Sequence, residues 1–249
     1  MRQLSGERVL ITGGGSGYGL ALARRLRDAG NEVLIAGRNA DRLRAATDAT
    51  PGLHAVQADV TLPGERARLL DAVHQQLGGL SVLVNNAATQ TPISLLAHDP
   101  AATVAAIEQE LHADLRAPAS LTAEALPLLR ESPAAIVAFV TSTLAFAPKQ
   151  STPAYNAAKA GLSTFALSLR YQLRTDAPHI RSVLITLPLV DTPMTAGRGT
   201  RKISATDAAS HTLRQLAAGR DDIRVGGARA FQLLHRIAPR AAERITRDS

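Results

Sequence analysis

Two residues one helical turn apart, Tyr155 and Lys159, carry the clearest chemical signal in this sequence. On a helix their side chains share a face, and a nearby ammonium group makes a phenol easier to ionise. A free tyrosine has a pKa of about 10, which is too high for proton exchange at neutral pH. Ser142 ends a predicted strand and could hydrogen-bond a carbonyl or alcohol oxygen. The three residues therefore predict a site that moves a proton to or from such an oxygen.

A glycine-rich loop near the N-terminus predicts a dinucleotide site. The segment reads Thr12-Gly13-Gly14-Gly15-Ser16-Gly17-Tyr18-Gly19, and it lies between a predicted strand and a predicted helix, which is the context such a loop requires. Gly13 permits the tight turn, while Gly17 and Gly19 let a pyrophosphate approach the helix N-terminus. We expect Ser16 and Tyr18 to belong to the same binding loop. The alternative is a glycine-rich turn without a ligand.

The end of the second predicted strand indicates which dinucleotide binds. Many dinucleotide folds place an acidic residue there to hold the ribose hydroxyl, but this sequence reads Ala36-Gly37-Arg38. A guanidinium group suits a 2′-phosphate. Arg38 therefore favours NADP(H), with Arg42 one turn further along as a possible second contact. The alternative is that Arg38 is an ordinary solvated arginine.

Polar residues also follow the third and fourth predicted strands. Asp59-Val60 follows the third, where the carboxylate could accept a hydrogen bond from an adenine amino group, and Asn85-Asn86-Ala87 follows the fourth. An Asx pair at a strand end is often only a turn, but in dinucleotide-binding folds this position borders the cofactor. The seven histidines show no metal-ligand spacing, so we expect no metal site.

The elements that position these residues alternate between strand and helix. Strands are predicted at Arg8–Thr12, Glu32–Ala36, Leu53–Gln57, Leu80–Asn85, Ala135–Thr141, Arg181–Leu187 and Ile223–Val225. Helices are predicted at Tyr18–Ala29, Ala40–Ala49, Gly64–Leu77, Pro100–Arg130, Pro153–Thr175, Ala205–Ala218 and about 228–244. This order predicts an α/β, Rossmann-like, doubly wound sheet of seven parallel strands with helices on both faces. At 249 residues we expect a single domain, 1–249, that binds the dinucleotide and carries the catalytic residues.

Composition excludes several classes of protein. Cysteine is absent, so disulfides and thiolate metal sites are excluded. The net charge of +7 comes mostly from arginines spread along helices, which does not predict nucleic-acid binding. Met1–Gly6 is too short and polar for a signal peptide, and no apolar run reaches the ~18 residues of a membrane span. We therefore expect a cytoplasmic protein with no nucleic-acid or membrane partner.

Taken together, the motifs resemble the short-chain dehydrogenase/reductase superfamily over essentially the whole chain. The matching parts are Thr12-Gly13-x3-Gly17-x-Gly19, Asp59, Asn85-Asn86-Ala87, Ser142, Tyr155-x3-Lys159 and Pro188-x3-Thr192. The segments Ile136–Phe146, Tyr155–Leu173 and Pro188–Thr192 further resemble a subgroup named for D-alanine transfer onto teichoic acids.

The resemblance implies a role for each matching residue. Tyr155 would be the general acid/base, Lys159 would lower its pKa and hold the nicotinamide ribose, and Ser142 would orient the substrate oxygen. Pro188 belongs to the nicotinamide loop, in which Val190 and Thr192 would bind the carboxamide. Relatives pair through two long helices, which here are about Pro100–Arg130 and Pro153–Thr175, so a homodimer or homotetramer is expected.

The sequence departs from the family pattern most clearly at Asp114. The superfamily commonly has an asparagine there, which supports a water-mediated proton relay to the lysine. An aspartate keeps the backbone geometry but brings a negative charge, and we assign it to the catalytic set with that difference. The alternative is that Asp114 faces elsewhere and only its backbone matters.

The sequence therefore predicts an NADP(H)-dependent oxidoreductase that interconverts a carbonyl and a secondary alcohol on a small, partly apolar substrate. Leu144, Ala145, Phe146 and the segment Leu189–Ile203 would supply the apolar pocket. The alternative is an NADP(H)-binding sensor or scaffold protein with little turnover. Only Asp114 supports that alternative, and the complete set of Ser142, Tyr155 and Lys159 argues against it.

Overall fold

The chain is described by a computed structural model that covers residues 4–199 and 201–247. The described part therefore omits residues 1–3, which begin the segment Met1–Gly6. It also omits Thr200, which belongs to the predicted pocket segment Leu189–Ile203. Within the part described, no helix is long and apolar enough to cross a membrane.

A seven-stranded parallel sheet forms the centre of the molecule, as predicted. Its strands are β1 (Arg8–Thr12), β2 (Glu32–Gly37), β3 (Leu53–Gln57), β4 (Val82–Asn85), β5 (Ala135–Ser142), β6 (Ile180–Leu187) and β9 (Asp222–Arg224). They lie in the order β3-β2-β1-β4-β5-β6-β9, and every neighbouring pair is parallel. The strand order reverses between β1 and β4, and ligands bind at such a reversal in this class of fold.

Helices cover both faces of the sheet. They are α1 (Gly17–Asp28), α2 (Ala40–Asp48), α3 (Pro63–Leu77), α4 (Pro100–Leu111), α5 (Ala117–Arg130), α6 (Pro153–Asp176), α7 (Ala205–Ala217), α8 (Ala228–Ile237) and α9 (Pro239–Arg247). One apolar core joins the sheet to α1, α2 and α7, with Leu22 and Ala208 among its members. The second core joins the opposite face to α3, α5 and α6. The central strands β1, β2, β4 and β5 are mostly buried, which explains their nearly continuous apolar sequences.

The structure departs from the predicted elements in three places. The predicted helix Pro100–Arg130 is interrupted by a π-helical segment, His112–Arg116. Two short strands, β7 (Val190–Asp191) and β8 (Ile203–Ser204), form a separate parallel pair that the sequence did not predict. The last predicted helix is two helices, because Pro239 cannot continue α8 and instead opens α9.

Candidate active site

Ser142, Tyr155 and Lys159 lie around one cavity of about 390 Å³ at the carboxyl end of the sheet. Ser142 is the last residue of β5, and its Oγ accepts a hydrogen bond of 3.2 Å from the Leu144 amide. Tyr155 and Lys159 lie in the first two turns of α6. The Lys159 Nζ is 5.5 Å from the centre of the Tyr155 ring. The structure therefore brings together the three residues that the sequence singled out for proton transfer.

The Tyr155 hydroxyl is in a buried environment that opposes its ionisation. Burial raises the pKa of Tyr155 above its ordinary value; Lys159 and Ser142 lower it, while Asp114 and Glu110 raise it further. The effect of Lys159 has the predicted sign, but it does not determine the net direction, because burial disfavours the phenolate. In the protein alone, Tyr155 is therefore held as the neutral phenol, which is the form that donates a proton.

Lys159 is held as a buried ammonium group. Its Nζ lies 3.1 Å from Asp114 Oδ2 and donates a hydrogen bond of 3.4 Å to the carbonyl oxygen of Val140. Burial by itself would lower the pKa of Lys159, but the charges of Asp114, Tyr155 and Glu110 raise it above its ordinary value. The cation that the family pattern requires beside the tyrosine is therefore present, and its counterion is Asp114.

Asp114 faces the catalytic cavity residues and not solvent. Its side chain is fully buried and contacts Lys159, so it does not face elsewhere as the alternative supposed. While Oδ2 contacts Lys159, Oδ1 accepts hydrogen bonds from the Thr89 amide at 2.8 Å and from the Thr89 hydroxyl at 3.3 Å. Asp114 thus links Lys159, in the second turn of α6, to Thr89 in the segment that follows β4.

The π-helical turn that carries Asp114 has a local cause. Pro118 has no N–H, so the carbonyl group four residues earlier, that of Asp114, has no α-helical donor. The amide just before this proline, that of Ala117, bonds to the carbonyl oxygen of His112, which is five residues back and not four. Such turns are rare and are frequently found at functional sites. The sequence analysis predicted a helix over Pro100–Arg130, but not the π turn within it.

A second cavity, of about 210 Å³, adjoins the first along the glycine loop. The two cavities share lining residues from that loop, from α2 and from the end of β4: Gly13, Ser16, Arg42, Ala87 and Ala88. The first cavity extends to Tyr155 and Thr192, and the second extends to Arg38 and Asp59. An elongated ligand such as a dinucleotide fits this arrangement, because the two cavities together run along the end of the sheet across the β1–β4 reversal.

The glycine loop is shaped for close approach. Gly13 adopts a φ of +65°, and a Cβ atom there would lie 2.8 Å from the Ala87 Cα. A Cβ atom on Gly19 would lie 2.4 Å from the side-chain nitrogen of Asn86, which donates hydrogen bonds to the carbonyl oxygens of Thr12 and Gly13 at 2.9 and 3.2 Å. Gly19 is therefore required by Asn86, a reason that differs from the predicted approach of a pyrophosphate.

The N-terminus of α1 offers donors to an anion at this loop. The Ser16 side chain makes no capping hydrogen bond to the first turn, so N–H groups that helices leave unsatisfied there are available to a ligand.

Tyr18 has a different position from its neighbours. Its hydroxyl is 2.8 Å from the Thr212 hydroxyl, and its buried ring packs α1 against α7, so its contribution to the cavity is through the backbone.

The second cavity holds the residues predicted for the adenosine end. Arg38 and Arg42 are exposed at its edge. Asp59 Oδ1 accepts hydrogen bonds from the Thr61 amide at 3.0 Å and the Thr61 hydroxyl at 2.7 Å, and Val60 also lines the cavity. The Asp59 carboxylate, which the sequence analysis predicted to bind the adenine amino group, therefore already accepts two hydrogen bonds from Thr61.

Pro188, Val190 and Thr192 line the first cavity opposite the catalytic residues. The small β7–β8 sheet holds this segment, and a turn after Thr192 is fixed by the Thr195 hydroxyl, which donates to the Val190 carbonyl oxygen at 2.6 Å. A Cβ atom on Gly17 would lie 3.0 Å from the Thr192 side chain. The absence of a side chain at Gly17 thus lets this segment approach the glycine loop.

Sequence reasoning missed several residues at the site. Glu110 is buried near Asp114, and Ala88 and Thr89 line the cavities. The spacing of Glu110 and Asp114, four residues apart on one helix, was the available signal for the buried acid. Across residues 4–199 and 201–247, no group of three or more His, Cys, Asp or Glu residues could hold a metal ion.

Comparison with known sequences gives consistent matches. The model of the short chain dehydrogenase family matches residues 7–202. An uncharacterized oxidoreductase, DltE of Bacillus subtilis, is 37% identical over 227 residues, which are 89% of this chain and 88% of the relative. A chicken protein named hydroxysteroid 11-beta-dehydrogenase 1-like is 30% identical over 224 residues, 87% of this chain and 76% of the relative.

Solved structures share the fold. A short chain dehydrogenase from Burkholderia cenocepacia in complex with NADP superposes with a TM-score of 0.84 at 24% identity, over 98% of this chain and 99% of the other. The 3-ketoacyl-(acyl-carrier-protein) reductase of Brucella melitensis complexed with NADH gives a TM-score of 0.79 at 23% identity, over 91% of this chain and 99% of the other.

Proposed function

This chain belongs to the short-chain dehydrogenase/reductase family of oxidoreductases, and from that premise we propose that it interconverts a carbonyl and a secondary alcohol with Tyr155 as general acid/base. One observation carries the proposal: Ser142, Tyr155 and Lys159 line the cavity that also contains the glycine loop. A proton donor and a dinucleotide loop around one cavity are the parts that this reaction needs. The substrate class is a small molecule.

Each residue has a distinct task in reduction. The Tyr155 hydroxyl, held neutral by its buried environment, donates its proton to the substrate oxygen. The Ser142 Oγ accepts from the Leu144 amide, which leaves its own hydrogen free to bind the same oxygen, where charge develops. The Lys159 ammonium then stabilises the phenolate that remains. When bound, the nicotinamide cofactor supplies or accepts the hydride.

A nicotinamide cofactor follows from family membership, and we propose that the preferred form is NADP(H). The two solved structures were complexed with NADP and with NADH, so they do not distinguish the forms. The support comes from Arg38 and Arg42, which both line the second cavity. Two cations and no acidic residue directly after β2 suit a 2′-phosphate. The remaining contacts proposed for the cofactor are Gly13, Ser16, Gly17, Tyr18, Gly19, Asp59, Val60, Asn86, Ala87, Tyr155, Lys159, Pro188, Val190 and Thr192.

The proposed substrate is partly apolar, and the proposed assembly is a homodimer or homotetramer. The ring of Phe146, four residues after Ser142, contacts the Phe231 ring with the ring centres 5.9 Å apart, which supports apolar surface close to Ser142. Val104 on α4 and Leu167 and Tyr171 on α6 are exposed apolar side chains. They support pairing through these two helices, since exposed apolar side chains favour burial in an interface.

A carbonyl and alcohol screen tests the proposal directly. The protein is incubated with NADPH or NADH and a panel of aldehydes and ketones, and with NADP⁺ or NAD⁺ and the matching secondary alcohols, while cofactor absorbance is followed. We expect turnover of partly apolar members with the phosphorylated cofactor. A preparation that binds NADPH but turns over no member of the panel would instead support the sensor or scaffold role, which the family membership does not favour.

A further inference from the structure

A second buried acid lies behind the catalytic residues. Glu110, near the end of α4, is 1% exposed, and Asp114, four residues further along, is fully buried. Side chains four residues apart on a helix share a face. The charge of each acid acts on Tyr155 and on Lys159. The two carboxyl groups and the one ammonium group therefore form a single buried electrostatic unit.

The two acids hold the same segment of backbone. Glu110 Oε2 accepts a hydrogen bond of 3.0 Å from the Thr91 amide, and Asp114 Oδ1 accepts one of 2.8 Å from the Thr89 amide. The residues just before this segment, Ala87 and Ala88, line both cavities. The acids thus fix the chain that leaves β4 beside the proposed cofactor site, but among the described residues only Asp114 of the two has a cationic partner.

The positions of the charges decide which acid holds a proton. The charged groups that face Glu110 are Asp114 on its own helical stretch and Lys159 on α6, while the Thr89–Thr91 loop segment packed against it contributes no charge. Lys159 is 3.1 Å from Asp114. The Glu110 Oε1 is buried and has no hydrogen-bond partner in the part of the chain that the structure describes. Ionisation of Glu110 would therefore place an unpaired charge beside an existing carboxylate.

We propose that Glu110 is a positioning residue for the Tyr155–Lys159 pair, and that its carboxyl group carries a proton in the working enzyme. Burial raises the pKa of Glu110, and the charge of Asp114 raises it further, against the lowering effects of Thr91 and Lys159. While Glu110 is neutral, only the charge of Asp114 opposes phenolate formation. When Glu110 ionises as the pH rises, a second negative charge makes Tyr155 harder to ionise.

Infrared spectroscopy tests the protonation state without cofactor or substrate. Protein with 13C-labelled glutamate carboxyl groups is measured across a pH series in H2O and D2O. We expect a protonated-carboxyl band at neutral pH that weakens as pH rises and is absent from Glu110→Gln. Glu108→Gln, which changes an exposed glutamate on the same helix, should retain the band. No such band in the wild-type protein at neutral pH would overturn the proposal even if Glu110→Gln failed to fold.

The kinetic test rests on the proposed function, since it assumes that Tyr155 is the acid/base. Glutamine is neutral, has nearly the same shape and can still accept from the Thr91 amide. Glu110→Gln should retain neutral-pH turnover within about 3-fold, and its alkaline dependence of alcohol oxidation should move to lower pH. A wild-type pH profile in Glu110→Gln would overturn the proposed effect on Tyr155. An inactive wild-type protein with the infrared band present would instead count against the proposed function alone.

Discussion

The two ends of the proposed cofactor site use the same kinds of charge in opposite environments. At the outer end, Arg38 and Arg42 are exposed at the edge of the second cavity. At the inner end, Lys159, Asp114 and Glu110 are almost completely buried. Water and salt screen the exposed charges, whereas buried charges act on one another at lower effective dielectric. The outer end is therefore suited to choosing a ligand, and the inner end is suited to setting protonation states.

The largest effect is expected at the inner end, from Tyr155→Phe. The substitution keeps the ring and removes the ionisable hydroxyl, so turnover should fall at least ~100-fold, the scale of lost general acid/base catalysis. NADPH binding, measured by fluorescence titration, should stay close to that of the unmodified protein. Turnover within a few-fold of the unmodified protein would show that Tyr155 is not the acid/base, and the contrast between the two ends would lose its chemical basis.

The outer end should respond in affinity and not in chemistry. Arg38→Ala should weaken NADPH binding by about 1–3 kcal/mol, the range for a hydrogen bond to a charged group, and should leave NADH binding nearly unchanged. Calorimetric titration with both cofactors measures the difference. Arg44→Ala is a matched control, because Arg44 is an exposed arginine of α2 that lines neither cavity. Equal affinities for NADPH and NADH in the unmodified protein would contradict the proposed selectivity.

The fold and the position of the glycine loop could be predicted from the sequence because they depend on local signals. The bounds of β1 and β3 match the prediction, and the glycine loop does follow β1 and open α1. The predicted family is confirmed by the match to the family model, and the predicted subgroup by the DltE relative. Periodicity and glycine spacing are properties of neighbouring residues, so no long-range contact was needed to find them.

The inner end was readable only in part because its properties arise from burial. The sequence named Tyr155, Lys159 and Asp114, but it did not predict that burial would hold the Tyr155 pKa above its ordinary value. Glu110 has the residue type of a solvated helix position, and only the packing of α4 shows that it is buried. The β7–β8 pair likewise depends on contacts between segments that are separated in the sequence.

The smallest change in turnover, and the most informative pH profile, is expected from Asp114→Asn. Asparagine keeps an oxygen that can accept from the Thr89 amide, but it removes the charge that raises the pKa of Tyr155. Oxidation of an alcohol needs the phenolate, so a raised Tyr155 pKa moves oxidation to more alkaline pH. Removing the charge should therefore move the alkaline dependence of oxidation to lower pH.

The same substitution should also lower the pKa of Lys159, because Asp114 is the main group that raises it. A less persistent ammonium would stabilise the phenolate less, and this effect opposes the first. We expect the direct effect to prevail, because the Lys159 ammonium group still donates a hydrogen bond to the Val140 carbonyl oxygen, which favours its charged form, so turnover should be preserved or raised. Steady-state rates of alcohol oxidation across a pH series measure the balance. A superimposable profile for Asp114→Asn would rule out the charge effect, and a shift to higher pH would show that Asp114 acts mainly by keeping Lys159 charged.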